Sequence, residues 1–567
     1  MHRRGSLYLE LLDERVLVFD GAMGTNIQAC DLPSEAYGGK DGCNEYLAVV
    51  RPAVIEEIHR SFLEVGCDVI ETDTFGGNRL KLAEYGLEDR VYEVNFAAVQ
   101  LARRLADEYS TPARPRFVAG SMAPTGKLPS SDDPALSDIT FAQLADVYYQ
   151  QARALVEGGC DLLLFETSQD MLEVRAAAIG ADRYMRDSGR RVPLQIHVTL
   201  DVNGRMLLGT DIAAAMTTIE SLPAQVVGLN CSTGPEHMRE PVRYLAEHSH
   251  LKVSVMPNAG IPINVGGRAV YPLDPDSMAR SLREFVEELG VEVVGGCCGT
   301  TAEHMKRVVD AVGGRRIVGR KVVSVPSVSS ALRSVPLQQN PPPLLVGERV
   351  NSQGSRQVKR LLLADDYDAV LQIAREQVDG GAHVLDVCVA LTERSDEAVM
   401  MRTLVHRIAA SVEAPLMIDS TDASAIQEAL ESNPGRAIVN SINLENGRER
   451  IDAVVPLVKE HGAAVVALTI DEEGMAKTAE RKLEVARRIH DLCTREFALR
   501  PEDLIFDPLT FTLATGDPEF ASSAAETLEG IRRIKSELPG VLASLGVSNV
   551  SFGLSPHSRP TLNSVFL

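Results

Sequence analysis

Three cysteines at two places in the chain could hold a metal ion. Cys231 closes the run Gly228-Leu229-Asn230-Cys231, and Cys297 and Cys298 stand inside Gly295-Gly296-Cys297-Cys298-Gly299-Thr300. Each group follows a short apolar, β-branched stretch. Three thiolates are the number that holds a zinc ion and leaves its fourth position open, and an open zinc is a catalytic one. Such a site carries a net charge of about −1 and favours soft ligands over water. A thiol fits the open position, because a bound thiolate is a nucleophile at neutral pH. The chemistry expected is alkylation of a small thiol. Successive side chains of a regular strand point to opposite faces, so Gly295, Gly296 and Gly299 are needed to turn Cys297 and Cys298 toward one ion. The other six cysteines read as small buried hydrophobes.

A second group of polar residues recurs at strand ends after residue 344. It comprises Glu348 and Asn351, Asp386, Asp419, Asn440, Asp507 and Asn549. A buried carboxylate or amide costs free energy unless it is paired. Repetition at successive strand ends suggests a polar heterocycle with several donors and acceptors, and a pterin fits.

The elements that must position these residues alternate. Strand-like runs before residue 310 are 16–21, 68–74, 116–122, 161–168, 193–200, 224–231, 252–260 and 291–298, with helical periodicity between them. Gly66, Gly158 and Gly290 stand where helices should stop. Eight continuous apolar strands alternating with amphipathic helices predict a closed parallel (β/α)₈ barrel, whose chemistry sits at the C-terminal strand ends. Residues 325–343, rich in Ser, Pro and Gln, read as an extended linker. The rhythm then restarts with 344–350, 383–389, 415–420, 437–443, 463–470, 504–510 and 547–553. The expectation is an α/β chain of two consecutive TIM-type barrels: 1–315, a linker at 316–343, and 344–567. The second barrel is expected to be truncated before its last strand, since seven strands leave two edges.

A net charge of −22 argues against nucleic acid and anionic membrane surfaces as partners. No apolar run approaches the ~18–20 residues of a membrane helix, and the N-terminus is too charged for a signal peptide. Cysteine usage points to a reducing, cytoplasmic compartment.

The motifs Asp20-Gly21-Ala22-Met23-Gly24-Thr25, Glu71-Thr72-Asp73-Thr74-Phe75, Glu166-Thr167 and the two cysteine motifs together resemble the homocysteine S-methyltransferase family. The resemblance implies that Cys231, Cys297 and Cys298 hold Zn²⁺ and that homocysteine sulfur takes the fourth position. It places Asp20, Thr72, Glu166 and Asn230 beside the amino-acid substrate, with backbone N–H groups around Gly24 and Thr25 for its carboxylate. The betaine-dependent members carry a tyrosine where this chain has Gly76-Gly77-Asn78. The second set resembles pterin-binding methyltransferase domains. That implies Asp419, Asn440 and Asp507 on the pterin, Glu348, Asn351 and Asp386 nearby, and Asn549 close to N5. The order of the two domains resembles the N-terminal half of cobalamin-dependent methionine synthases. The implied reaction passes a methyl group from 5-methyltetrahydrofolate through cobalamin to homocysteine. No histidine lies two residues after an aspartate, so the family's Asp-x-His-x-x-Gly cobalamin motif is absent. Cobalamin is therefore expected on a module outside this chain. The competing expectation is a cobalamin-independent enzyme using S-methylmethionine or betaine.

Overall fold

The computed structural model describes residues 3–513 and 522–567. The chain divides into two compact units, 1–325 with 331–334, and 326–330 with 335–567. Both are α/β and of TIM type, the first with eight parallel strands and the second with seven.

The strands of the first unit are β1 (Leu17–Val18), β2 (Val69–Glu71), β3 (Phe117–Met122), β4 (Leu162–Ser168), β5 (Leu194–Val198), β6 (Val226–Asn230), β7 (Lys252–Met256) and β8 (Val293–Val294). They pair in the order β1-β8-β7-β6-β5-β4-β3-β2. A parallel bridge between Phe19 and Val69 brings the ring round. Alternate residues divide between two cores, as the period of two requires. Leu17, Phe19, Val69, Phe117, Leu162, Leu164, Val226 and Val293 point inward with Tyr8 and Leu12 of the helix Arg3–Glu14, which plugs the barrel. Val18, Ile70, Val118, Leu163 and Val227 point outward under the helices.

Helix ends follow local chemistry. Thr140 and Gln143 form a reciprocal capping box at the start of Phe141–Gly158, and Asp170, Asp211 and Asp274 cap three later helices. Gly66 and Gly290 end their helices in the left-handed conformation, as expected. The third stop falls at Gly159, φ 95°, and not at Gly158. Gly158 is the last helical residue, and a Cβ there would meet Val99 Cβ at 2.9 Å.

The second unit has β9 (Val346–Asn351), β10 (Val384–Cys388), β11 (Leu416–Asp419), β12 (Ile438–Ile442), β13 (Ala464–Leu468), β14 (Leu504–Asp507) and β15 (Leu542–Ala543), paired in sequence order. The seventh strand was expected at 547–553. That segment is a 3₁₀ helix, Val547–Ser551, and the strand lies just before it. The Ser/Pro-rich segment is also not uniformly extended. Ser327–Ser329 pairs with Ser334–Pro336, and Val328 and Val335 join the inner core of the second sheet with Val384, Met417, Ile438 and Ile505. A helix thus plugs the first barrel, and Val328 and Val335 fill the corresponding inner core of the second.

Candidate functional site

The three cysteines converge. β6 ends at Asn230, and Cys231 and Ser232 follow with φ 63° each, left-handed backbone that residues with a Cβ adopt only at a cost of ~1–2 kcal/mol. β8 ends at Val294, so Cys297 and Cys298 lie in the turn beyond it and not on the strand. Backbone bonds fix that turn to its neighbours: Cys297 N–H donates to Pro257 O (2.9 Å), Ala259 N–H to Cys298 O (3.0 Å) and Gly296 N–H to Asp20 O (3.0 Å). Gly299 has φ 81° and leaves no room for a side chain, since a Cβ would sit 2.1 Å from Tyr271 Cγ.

The three Sγ atoms lie within 4.8 Å of one another, the one such metal-ligating group among the described residues. Cys231 Sγ and Cys298 Sγ are 3.8 Å apart. Tetrahedral zinc with Zn–S bonds of about 2.3 Å places its sulfurs about 3.8 Å apart, so this donor set fits the ion in both type and spacing. Hydrogen bonds from Cys231 and Cys297, with a further one from Tyr271, pull the Cys298 thiol well below its ordinary value. Cys297 is pushed up by its bonds to Cys231 and Cys298. His304 is not a further ligand; it caps the helix Ala302–Val312 through Thr301 and reaches Leu273 O at 3.0 Å.

Beside the sulfurs lies a group of carboxyls. Asp20 and Glu166 are buried, and Glu71 joins them. Burial pushes all three upward, and their mutual repulsion adds to it for Asp20 and Glu71. Glu166 accepts from Ser121 Oγ (2.6 Å) and Asn230 Nδ2 (2.9 Å), while Asp20 Oδ2 accepts from Glu71 N–H (3.1 Å). Asp20 Oδ1 is buried without a partner. Unpaired buried carboxyls form a seat for a cationic group. Glu71 was not singled out from sequence, although it stands beside Thr72. Thr72 itself faces inward to its neighbours, with its hydroxyl 2.6 Å from Thr74 Oγ1 and accepting from Ser121 N–H at 3.1 Å. Gly24 and Thr25 lie in the first turn of the helix Met23–Ala29, whose N-cap residue Ala22 provides no side-chain bond. Thr25 Oγ1 accepts from Gly299 N–H at 3.2 Å, tying that helix to the cysteine turn. Asn258 is a further residue that the sequence did not reveal. It is 3% exposed, its Oδ1 has no partner, and it adjoins the turn that receives Cys297.

In the second unit Asn351 donates from Nδ2 to Asp386 Oδ2 (2.7 Å) and Asp419 Oδ2 (2.9 Å), joining the ends of β9 and β11 to Asp386, which lies in the middle of β10 and not at its end. Asp419 lies in register with Asn440 on β12. Burial, reinforced by Asp419, pushes Asp386 up to about 7, and its Oδ1 is unpartnered. Asp507, at the end of β14, is pushed up to about 6 by burial and accepts from Leu509 N–H at 2.8 Å. Glu348 is exposed, and its charge acts on Asp386, Asp419 and Asp507. Asn549 is exposed on the 3₁₀ helix, bonded through its N–H to Gly546 O (3.1 Å), and Gly546 N–H in turn bonds Asp507. Sequence reasoning also passed over Arg450, whose guanidinium takes the carbonyls of Ser420 (2.6 Å), Thr421 (2.7 Å) and Ser441 (3.0 Å), just past Asp419 and Asn440.

Residues 17–312 match the homocysteine S-methyltransferase model, and the chain belongs to that family. Residues 347–567 match the model of pterin-binding enzymes. Among curated relatives, methionine synthase of Mycobacterium tuberculosis is 44% identical over 562 residues, covering 99% of this chain and 47% of its own length. The methionine synthase of Mycobacterium leprae is 43% identical, with 100% and 47% covered. The chain thus spans about half the length of these relatives. The metallated homocysteine methyltransferase MmuM of Escherichia coli aligns to 53% of this chain and 98% of its own, at 22% identity and TM-score 0.43. No helix among the described residues is long and apolar enough to cross a membrane.

Proposed function

We propose that this chain carries the thiol-binding and folate-binding steps of a cobalamin-dependent methyl transfer from 5-methyltetrahydrofolate to homocysteine, giving tetrahydrofolate and methionine. The observation that carries the reading is the convergence of three Sγ atoms within 4.8 Å beside a buried carboxyl group. Zinc held by Cys231, Cys297 and Cys298 would supply Lewis acidity that keeps the substrate sulfur as a thiolate at neutral pH. Asp20, Glu71 and Glu166 take the ammonium, and the first-turn N–H groups at Gly24 and Thr25 take the carboxylate. Asn230 joins the two halves of the seat, and Thr72 braces the strand end behind them.

In the second unit Asp386, Asp419, Asn440 and Asp507 receive the donor and acceptor edge of the pterin, held in place by Asn351, with Glu348 at the rim and Asn549 near N5. The cobalamin is carried by a module outside this chain, in a cytoplasmic enzyme. The 344–567 unit favours this over a cobalamin-independent transfer from S-methylmethionine or betaine, which needs no pterin seat.

The test separates the two halves. Methyl transfer from methyltetrahydrofolate to added cob(I)alamin should be impaired by Asp507→Asn and Asn549→Ala and spared by Cys297→Ala. Transfer from added methylcobalamin to homocysteine should show the reverse. Homocysteine methylation at full rate by the Cys297→Ala protein, or methylation by S-methylmethionine without cobalamin, would overturn the reading.

A further inference from the structure

The second unit holds a deeply buried lysine that the proposed function leaves unused. Lys482, on the helix Ala479–Asp491, is completely buried. Its ammonium donates to Ala476 O (2.9 Å), to Leu509 O (3.1 Å) and to Pro508 O. Thr527 Oγ1 donates to the same Leu509 carbonyl at 2.9 Å. Leu509 has φ 60°, a conformation that costs a residue with a Cβ ~1–2 kcal/mol and persists only where the surroundings hold it. Its own N–H closes onto Asp507 Oδ1. The ammonium therefore grips the two residues that follow Asp507, and the charge of the Asp507 carboxyl acts on it. The lysine stem packs on Gly530, where a Cβ would meet Lys482 Cδ at 2.9 Å. An apolar side chain could fill that space without the cost of burying a charge. The three carbonyls satisfy the ammonium's hydrogens, but only a carboxylate neutralises it.

We propose that Lys482 is a positioning residue for the ligand of the second barrel: its ammonium fixes the Asp507-Pro508-Leu509 turn and is the counter-charge of the Asp507 carboxylate. This rests on the reading of Asp507 as a pterin-binding residue. Among the described residues, Lys482 faces the charges of Asp507 and Glu526, and Asp507 faces Lys482 and Glu348. Burial lowers Lys482 to about 8 and raises Asp507 to about 6, so both are ionised near pH 7. A protonated Asp507 loses its charge and one of the two acceptor oxygens that would take the two N–H groups of a pterin's amino-pyrimidinone edge, so removing the ammonium moves the loss of binding to higher pH.

Calorimetric titration of the whole chain with tetrahydrofolate between pH 6 and 8 tests this. Lys482→Gln should raise the midpoint of binding by about one pH unit, weakening affinity about fivefold at pH 6 and little at pH 8. Thr527→Val loosens the same carbonyl without removing charge and should leave the midpoint in place, and Lys482→Arg should restore it. An unmoved midpoint in Lys482→Gln overturns this inference alone. A wild-type chain that binds no tetrahydrofolate overturns the second-barrel reading and this inference with it. If Lys482→Gln does not fold, Asp507→Asn carries the test. It removes the counter-charge, so at pH 7 Lys482→Met should lower the melting temperature by about 3 °C more in the wild-type chain than in the Asp507→Asn chain. An equal effect in the two backgrounds overturns the proposal.

Discussion

Asn230 joins the carboxyl seat to the sulfur site: its Nδ2 lies 2.9 Å from Glu166 Oε2 and 3.8 Å from Cys297 Sγ. Its Oδ1 accepts from Thr167 N–H at 2.8 Å, and Thr167 has φ 58°. One amide thus holds the end of β4 against the end of β6. Groups of this kind orient the atoms that bind metal and substrate without binding the metal themselves.

Asn230→Ala should therefore lower homocysteine methylation by about 10- to 100-fold, the range found for groups one step removed from a metal. Zinc should remain bound at neutral pH, because all three sulfurs are intact. Metal content measured beside the rate of methyl transfer from methylcobalamin checks both parts. Complete loss of zinc would mean that the amide builds the metal site itself.

Gly299→Ala should be more damaging than its size suggests. The residue has φ 81°, and its Cβ would overlap Tyr271 Cγ at 2.1 Å. The turn that holds Cys297 and Cys298 must open to relieve the overlap. We expect zinc affinity to fall at least tenfold and thermal stability to drop by about 2 kcal/mol. The double variant Tyr271→Gly/Gly299→Ala removes the overlap, since Tyr271 Cβ would itself lie 2.4 Å from the new Cβ, and leaves only the backbone strain, so it should regain part of the zinc affinity. Zinc titration of the two variants separates the effects.

Asp386 makes a pH prediction. Burial and then Asp419 raise its carboxyl from 3.8 to about 7 on folding. The folded chain therefore holds this proton more tightly than the unfolded chain does. The resulting stability is fully present below pH 3.8 and is lost as pH rises through about 7. Asp386→Asn should stabilise the second unit by roughly 1–4 kcal/mol at pH 8 relative to wild type and much less at pH 4. It should weaken tetrahydrofolate binding at the same time. Urea melts at the two pH values check the sign, and a larger gain at pH 4 would refute it.

The alternation of strands and helices was legible because a buried parallel strand is an uninterrupted apolar run. The sulfur site was legible because few chemistries need an Asn-Cys and a Cys-Cys at two strand ends. What the sequence concealed was decided by packing. Residues 547–553 carry strand-forming Val547, Val550 and Phe552, yet Gly540, φ 94°, turns the chain early and Leu542–Ala543 takes the place beside β14. Val550 is then buried from a 3₁₀ helix. Glu71 was hidden because its role depends on Asp20, 51 residues away. Lys482 reads as one more surface lysine on an amphipathic helix until the carbonyls of Pro508 and Leu509 are placed against it.

The same contrast applies to the Ser/Pro-rich segment, whose composition suggests a spacer. Its Ser329 N–H donates to Arg436 O (3.1 Å), and Arg436 N–H donates to Ser329 Oγ (2.9 Å). The buried Arg436 guanidinium also takes Ser327 O at 2.8 Å and Gly462 O at 2.9 Å, and pairs with Asp503. Beside this arginine a Cβ on Gly435 would lie 2.0 Å from Ser329 O, a backbone atom that cannot rotate away. Gly435→Ala must push the hairpin off the sheet and expose Val328 and Val335. Losing two buried valines and their bonds should cost about 2–4 kcal/mol. Thermal melts should show a destabilised second unit, with zinc content and methylcobalamin-dependent activity unchanged. A melt identical to wild type would mean that residues 327–336 act only as a tether.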